Sequence, residues 1–265
     1  MLKIYKNLWF VNWAEHWQYR ANLLMYLLYW LVSPVIYLAV WSSIAAAKGE
    51  VNGYTANDFV TYYMCLLIVD QVTSNIVIHN LAYKIIDGVI ASEIIKPVHP
   101  ILTGTLVNNI SFKALNMVGF IPIWFVLNLL FKPDYAAVSL GNVLLAIPFM
   151  LAGFLIGFFL SAAITCIAFF TTRVYSIHEF YYAFYILFSG QFVPLGLMPE
   201  VIQNIARYLP FQLMIYFPVQ LILGRAETGQ IWNATLVAVV WLAIAYAIFR
   251  MVWSRGLRQY ASVGA

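Results

Sequence analysis

Asp70, Gln71, Asn75 and His79 lie inside one long apolar run of this chain, and Asn108, Asn109, Lys113 and Asn116 inside the next. An ionisable side chain in mid-bilayer costs about 2.5–3.5 kcal/mol on insertion scales, which makes each of these a functional candidate. Gln71, Asn75 and His79 recur every fourth residue and share a helix face. The carboxylate and the ammonium admit two chemistries. They could pair as a strut between neighbouring helices, offsetting the cost of burying each charge, or they could form a proton or ion relay. A relay usually strings several carboxylates together, and this region holds one, which favours the strut.

Little else in the chain suggests chemistry. There is no G-x-x-x-x-G-K-S/T to cradle nucleotide phosphates, no H-E-x-x-H and no G-x-S-x-G. FSGQF (188–192) faintly matches the nucleotide-signature string LSGGQ, but it ends an apolar run without nucleotide-binding context and is assigned to chance. His16, His79, His99 and His178 have no metal-ligand spacing, and Cys65 and Cys166 stand alone in apolar runs, so neither a metal site nor a disulfide framework is expected.

The composition says what surrounds these residues. Hydrophobic residues make up 64% of the chain, charged ones 9%, and the mean hydropathy is +0.85. So little charge cannot cover a surface in water, which implies an integral membrane protein. The sequence pI near 9.0 would also suit nucleic acid. The basic residues, however, are scattered at the ends of apolar runs, a topology pattern that argues against nucleic-acid binding. The start MLKIYKNLWFVNW is basic, yet Asn12, Glu15 and His16 interrupt any signal-like core, and no removed signal peptide is expected.

A bilayer-crossing helix needs about 20 apolar residues. By that measure the sequence predicts an all-α membrane protein with six spans, at 22–46, 57–82, 101–131, 138–171, 175–195 and 230–252. With both termini in the cytoplasm, Lys3, Lys6, Arg20, Lys84, Lys96, Arg173, Arg250, Arg255 and Arg258 lie inside. Lys48, Lys132, Arg207 and Arg225 lie outside, and nine against four supports that orientation. Asp70 precedes the end of the second span at Ala82 by twelve residues, and Lys113 follows Ile101 by twelve. At 1.5 Å per residue both would sit roughly 18 Å from the cytoplasmic end, deep enough to pair.

Three segments fall outside the spans. Residues 1–20 carry Trp9, Trp13 and Trp17 at every fourth position opposite a polar face, which suits a helix lying in the headgroup region. Residues 83–100, including DGVIASEIIKPVHP (87–100), form a charged cytoplasmic helix between spans two and three. Residues 196–229 are too apolar for an ordinary outer loop and too short to cross, with Pro199 placed to start a helix and Pro218 interrupting the run from Phe211 to Leu223. Two short re-entrant helices are predicted there, before the last span and a cytoplasmic tail at 253–265. Gly153, Gly157 and Ser161 make a small-residue stripe suited to internal packing or to a dimer seam, with internal packing the simpler reading.

Order and spacing together resemble the membrane permease of bacterial type-2 ATP-binding-cassette exporters, the ABC-2 family. EIIKPVHP (93–100), LPFQLMIYFPVQLILG (209–224) and RGLRQYASVGA (255–265) are similar to stretches typical of that group, and the likeness runs nearly the full chain. It implies a single transmembrane domain in the bacterial inner membrane that carries no cofactor and no catalytic site of its own. Mg-ATP would be bound and hydrolysed by two copies of a separate ATPase subunit. The second permease could be identical or paralogous, with membrane lipid around both. The resemblance also makes 85–95 a coupling helix docking on the ATPase, through Ile85, Asp87, Gly88, Ile90, Glu93, Ile94 and Lys96. Asp87 and Glu93 would meet basic residues there, and Pro97, His99 and Pro100 would turn the chain into span three. Pro194, Pro199, Pro210, Phe211 and Pro218 would shape an outer gate. Tyr175, Tyr181, Tyr182, Tyr185 and Phe188 crowd span five, which suits an amphiphilic substrate and equally suits lipid contact. The alternative is an ion- or proton-coupled secondary transporter using Asp70 and Lys113. Inverted repeats would favour it, and none is evident between the two halves.

Overall fold

The computed structural model describes residues 2–96 and 98–260. Among them the regular structure is helical: α1 (Leu2–Gln18), α2 (Arg20–Lys48), α3 (Ala56–Thr73), α4 (Val77–Ile86) and α5 (Ile90–Ile94) come first. A π-helical turn (Pro100–Thr105) leads into α6 (Leu106–Phe131), and α7 (Leu140–Thr165) is prolonged by a 3-10 turn (Cys166–Phe169). Then come α8 (Val174–Phe188), α9 (Glu200–Ala206), α10 (Tyr216–Ile222) and α11 (Thr228–Gln259). Five stretches are long and apolar enough to cross a bilayer: Arg20–Lys48, Ala56–Ile86, Pro100–Phe131, Leu140–Phe169 and Thr228–Gln259. The chain is a multi-pass membrane protein.

The expected span at 175–195 is helical only to Phe188. Its 15 residues reach about 22 Å, short of a hydrocarbon core of about 30 Å. Gly190 turns the chain there at φ +83, and a Cβ would stand 2.8 Å from both Tyr216 Cβ and the Tyr62 hydroxyl. The bare carbonyls beyond the turn are taken by side chains. The Tyr62 hydroxyl donates to Gly190 O (2.8 Å), and the Tyr63 hydroxyl (2.8 Å) and Trp41 Nε1 (2.9 Å) both donate to Phe192 O. FSGQF is thus a structural turn, held by α2 and the first part of α3.

The two short helices expected in 196–229 are α9 and α10. Phe217 to Ile222 of α10 are buried, and the helix packs against α7 and α3. Pro218 does not interrupt α10; it lies in its first turn, where an N–H has no intrahelical partner to lose. Pro199 sits one residue outside α9 as its N-cap. On α9, Val201 and Ile205 are exposed while Ile202 packs inward.

Contacts sort the loops to two ends of the molecule. At one end Arg225 pairs with Asp58, and Asp134 N donates to Thr61 Oγ1 (3.0 Å). Thr55 and Asp58 close a reciprocal capping box that starts α3 beside that pair. At the other end the Tyr260 hydroxyl donates to Gly88 O (3.1 Å) and His99 packs on Trp253. Helix α1 is separate from α2, broken at Tyr19, and rests on α6, where Asn108 Nδ2 donates to Asn12 Oδ1 (3.2 Å).

Helix α7 is the central element, packed against α11, α10, α3 and α4. Its small residues explain how backbone comes so close. A Cβ on Gly153 would lie 2.6 Å from Leu213 O and 3.0 Å from Met214 Cα, and one on Gly157 only 3.5 Å from Asn75 Nδ2. The stripe therefore packs internally. Gly153→Ala pushes the 211–215 turn off α7 and is expected to cost about 1–3 kcal/mol. Gly157→Ala, whose neighbours are flexible side-chain ends, is expected to cost less than about 0.5 kcal/mol. Thermal unfolding in detergent compares the two, and equal losses would contradict this packing.

Candidate functional site

The second apolar stretch is broken in its middle. Thr73, Ser74 and Asn75 offer side-chain oxygens and amides that compete with the helical ladder, and α3 ends at Thr73 with α4 resuming at Val77. A helix that stops at this depth bares its last carbonyls, which hydrocarbon cannot satisfy. Lys113 on α6 satisfies them. Its ammonium donates to Gln71 O (2.8 Å), Val72 O (3.1 Å) and Ser74 Oγ (3.2 Å), a cation on the negative end of a helix. The expected Asp70–Lys113 pair is not formed. Asp70 Oδ1 instead accepts from the Tyr185 hydroxyl of α8 (3.0 Å). Lys113 does reach the end of the helix that carries Asp70. What redirected the lysine was the break, because bare carbonyls compete for an ammonium as well as a carboxylate does.

Around the break the other polar candidates converge. Gln71, Asn75, Asn109, Lys113 and Asn116 line a gap of about 10 Å³, room for one water. Asn109 there leaves both side-chain polar atoms without a protein partner. On the opposite side of the break, Ser74, Asn75 and His79 open onto a cavity of about 510 Å³. Tyr26, Tyr29 and Trp30 of α2 and His178, Glu179, Tyr181, Tyr182 and Tyr185 of α8 form its facing walls, with Ser161 of α7 behind. The sequence marked His79 and the span-five tyrosines separately; only folding makes them neighbours.

The 87–100 stretch is not one helix. Gly88 takes φ +77 one residue past the C-cap of α4, the left-handed stop that favours glycine, and α5 begins at Ile90. Ile85 and Ile90 face inward with Val77, Leu81, Ile101 and Trp253, so they anchor the turn rather than present it. Glu93 is not free either: its Oε1 pairs with Lys84 Nζ at 2.8 Å, clamping α5 to α4. What remains outward is Asp87, Ser92, Lys96, Val89 (44% exposed) and Ile95 (85% exposed). Ile94 is partly buried, and Pro97 lies outside the described residues. His99 caps the next helix, its Nδ1 accepting from Ile101 N (3.2 Å) and Leu102 N (3.3 Å) with Pro100 at the first position.

Sequence reasoning passed over several residues of this joint. Tyr260 belongs to the 255–265 stretch noticed only for its resemblance, and residues 261–265 lie outside the described residues. Phe169, Trp253 and Tyr260 form an aromatic cluster under the turn, with Phe169 5.6 Å from Trp253 and 5.5 Å from Tyr260. Gly256 admits it, since a Cβ there would fall 2.3 Å from Phe169 Cδ2.

At the opposite end Pro194 and Pro210 each precede a short 3-10 turn. Phe211 is buried against Tyr181 and Phe188, with ring centroids 5.6 and 6.4 Å away.

Several apolar crossings, a helix interrupted beside a cavity and a folded turn at one end are the parts of a membrane transport subunit. The model of the ABC-2 family transporter proteins matches residues 21–264, so the chain belongs to that family and is a permease membrane subunit. No curated protein matches it.

Lys113→Met leaves two buried carbonyls without donors and is expected to cost about 2–4 kcal/mol. Adding Asp70→Asn should not restore that loss; recovery in the double variant would reinstate a direct pair.

The cap made by His99 is sensitive to acid. Burial holds this imidazole below its ordinary value of 6.5, so at neutral pH Nδ1 is a free acceptor. Because the folded value lies below the unfolded one, the unfolded chain binds more protons as pH falls. The cap's contribution is therefore present above 6.5 and lost as the folded ring protonates. Asn caps without titrating. His99→Asn should lose less thermal stability than wild type between about pH 7.5 and about pH 5.5. Parallel curves would remove His99 from the account.

Proposed function

We propose that this chain is the permease half of an ATP-driven exporter in a bacterial inner membrane, with both termini cytoplasmic. Two such subunits, identical or paralogous, form the pathway, and Mg-ATP is hydrolysed on two copies of a separate ATPase. Six passes arise because α8 makes the sixth. It starts at the 87–100 end and covers part of the depth, and 190–222 fill the rest as re-entrant structure shaping an outer gate.

The observation that carries the coupling is helix α4. Its ten residues, about 15 Å, start at the break beside the cavity and end at the exposed turn. A push on the turn by a closing ATPase reaches α4 without slack, because Lys84–Glu93 and Tyr260–Gly88 brace the joint. Tilting α4 about residues 74–76 moves Asn75 and His79 on the cavity wall. The docking surface on this reading is Asp87, Val89, Ser92 and Ile95. Against an ion-coupled relay, Lys113 donates to three oxygens of the break and Asp70 accepts from Tyr185.

Co-purification with the products of neighbouring genes, assayed for ATP hydrolysis, tests this. An ATPase subunit should accompany the wild-type chain. Ile95→Asp and Asp87→Lys should each lower its recovery by about tenfold with an unchanged thermal midpoint. If no nucleotide-binding subunit comes down, the exporter reading falls. If both variants keep it, the docking surface lies elsewhere.

A further inference from the structure

The cavity between α2 and α8 is unevenly charged. Among the described residues no Lys or Arg lines it, and Glu179 is its one carboxylate. Glu179 is exposed and makes no ion pair; the two pairs among the described residues are Lys84–Glu93 and Arg225–Asp58. Besides the tyrosines, the other ionisable lining side chains are His79 and His178, which carry no charge when deprotonated. Behind the wall Asp70 touches the lining through Tyr185, and Lys113 of α6 faces the break instead. The space itself therefore holds an uncompensated negative charge.

Its walls are aromatic. Tyr26, Tyr29 and Trp30 face it from α2, and Tyr182 and Tyr185 from α8, the latter two stacked with centroids 5.8 Å apart. Aromatic faces carry negative quadrupole density, and a cation within about 6 Å of a ring centroid is attracted to it. The volume of about 510 Å³ falls within the roughly 300–1,000 Å³ that encloses a drug-sized molecule. An anion would meet Glu179 and no lysine or arginine. A neutral lipophile would fill the aromatic walls and gain nothing from the Glu179 carboxylate. An organic cation with an aromatic body satisfies both the carboxylate and the rings.

We propose that the α2–α8 cavity is a binding site for lipophilic organic cations, with Glu179 as counter-charge and the surrounding tyrosines and Trp30 as an aromatic cage. It rests on the exporter reading only in taking such a cation as the cargo. The binding itself needs no ATPase.

The probes are tetraphenylphosphonium and tetraphenylborate, four phenyl rings of nearly equal size around opposite charges. Binding is measured by equilibrium dialysis to the purified full chain in lipid nanodiscs, with empty nanodiscs subtracting partition into lipid. Tetraphenylphosphonium should bind saturably and tetraphenylborate should not. Glu179→Gln should weaken the phosphonium about tenfold, and Tyr182→Leu about two- to fivefold, each with the wild-type thermal midpoint. The proposal is overturned if the borate binds as tightly, if Glu179→Gln leaves phosphonium affinity unchanged, or if neither probe saturates. Should Glu179→Gln not fold, Tyr182→Leu and the comparison of the two ions decide. Because the assay contains no ATPase, failed binding beside successful co-purification retires the cation site and keeps the exporter. Saturable, charge-selective binding without a co-purifying ATPase does the reverse.

Discussion

A helix that ends inside a bilayer must find donors for its last carbonyls, and Lys113 is what allows the second apolar stretch of this chain to end at Thr73. Everything distinctive about the interior follows from that cap. The break makes α4 a separate short rod, lets Asn75 and His79 face the cavity, and gives the lysine oxygen ligands that replace a carboxylate. The cost of burying an ammonium is met by backbone, so Asp70 is left to hold α8 through Tyr185. Removing the cap would attack the cavity wall and the start of α4 together.

The same requirement is met differently on the other side of the molecule. Beyond Phe188 the chain runs as turns and short helices through 190–222, and its carbonyls are taken by Tyr62, Tyr63, Trp41 and, at Tyr208 O, by Trp241 Nε1 (2.7 Å). Aromatic residues that could be mistaken for lipid anchors are here hydrogen-bond donors to irregular backbone. The tight approach of this segment to α7 depends on Gly153, so the small-residue stripe serves the interior.

The turn at 87–100 shows how a polar loop is folded back on itself. The residues most conspicuous in the sequence, Ile85, Ile90 and Glu93, are spent on holding it together, the isoleucines in a core with Trp253 and the glutamate on Lys84. The outward surface falls to Val89 and Ile95, apolar side chains that a solvated loop would have little reason to expose. Its stiffness comes from far along the chain, through Tyr260 and the Phe169–Trp253 contact.

The sequence alone determined the membrane setting, the approximate helix positions, the separate N-terminal helix, the short helices before α11 and the ABC-2 likeness. These depend on apolar run length, on punctuation by glycine and proline, and on motif order, all local and additive along the chain. It also picked out Asp70, Lys113, Asn75 and His79, because charge in an apolar run is conspicuous wherever it lies. It did not determine who meets whom. The break at 74–76 has no proline or glycine to announce it, only Thr73, Ser74 and Asn75, whose effect depends on whether a donor waits across the gap. Whether Lys113 finds a carboxylate or two carbonyls and whether Glu179 shares a cavity with Trp30 are set by the packing of distant helices, and whether Glu93 points out or pairs back by the fold of the α4–α5 turn. Hydrogen bonds and ion pairs act over a few ångströms of space, and the chain order of residues a hundred positions apart carries no record of that distance.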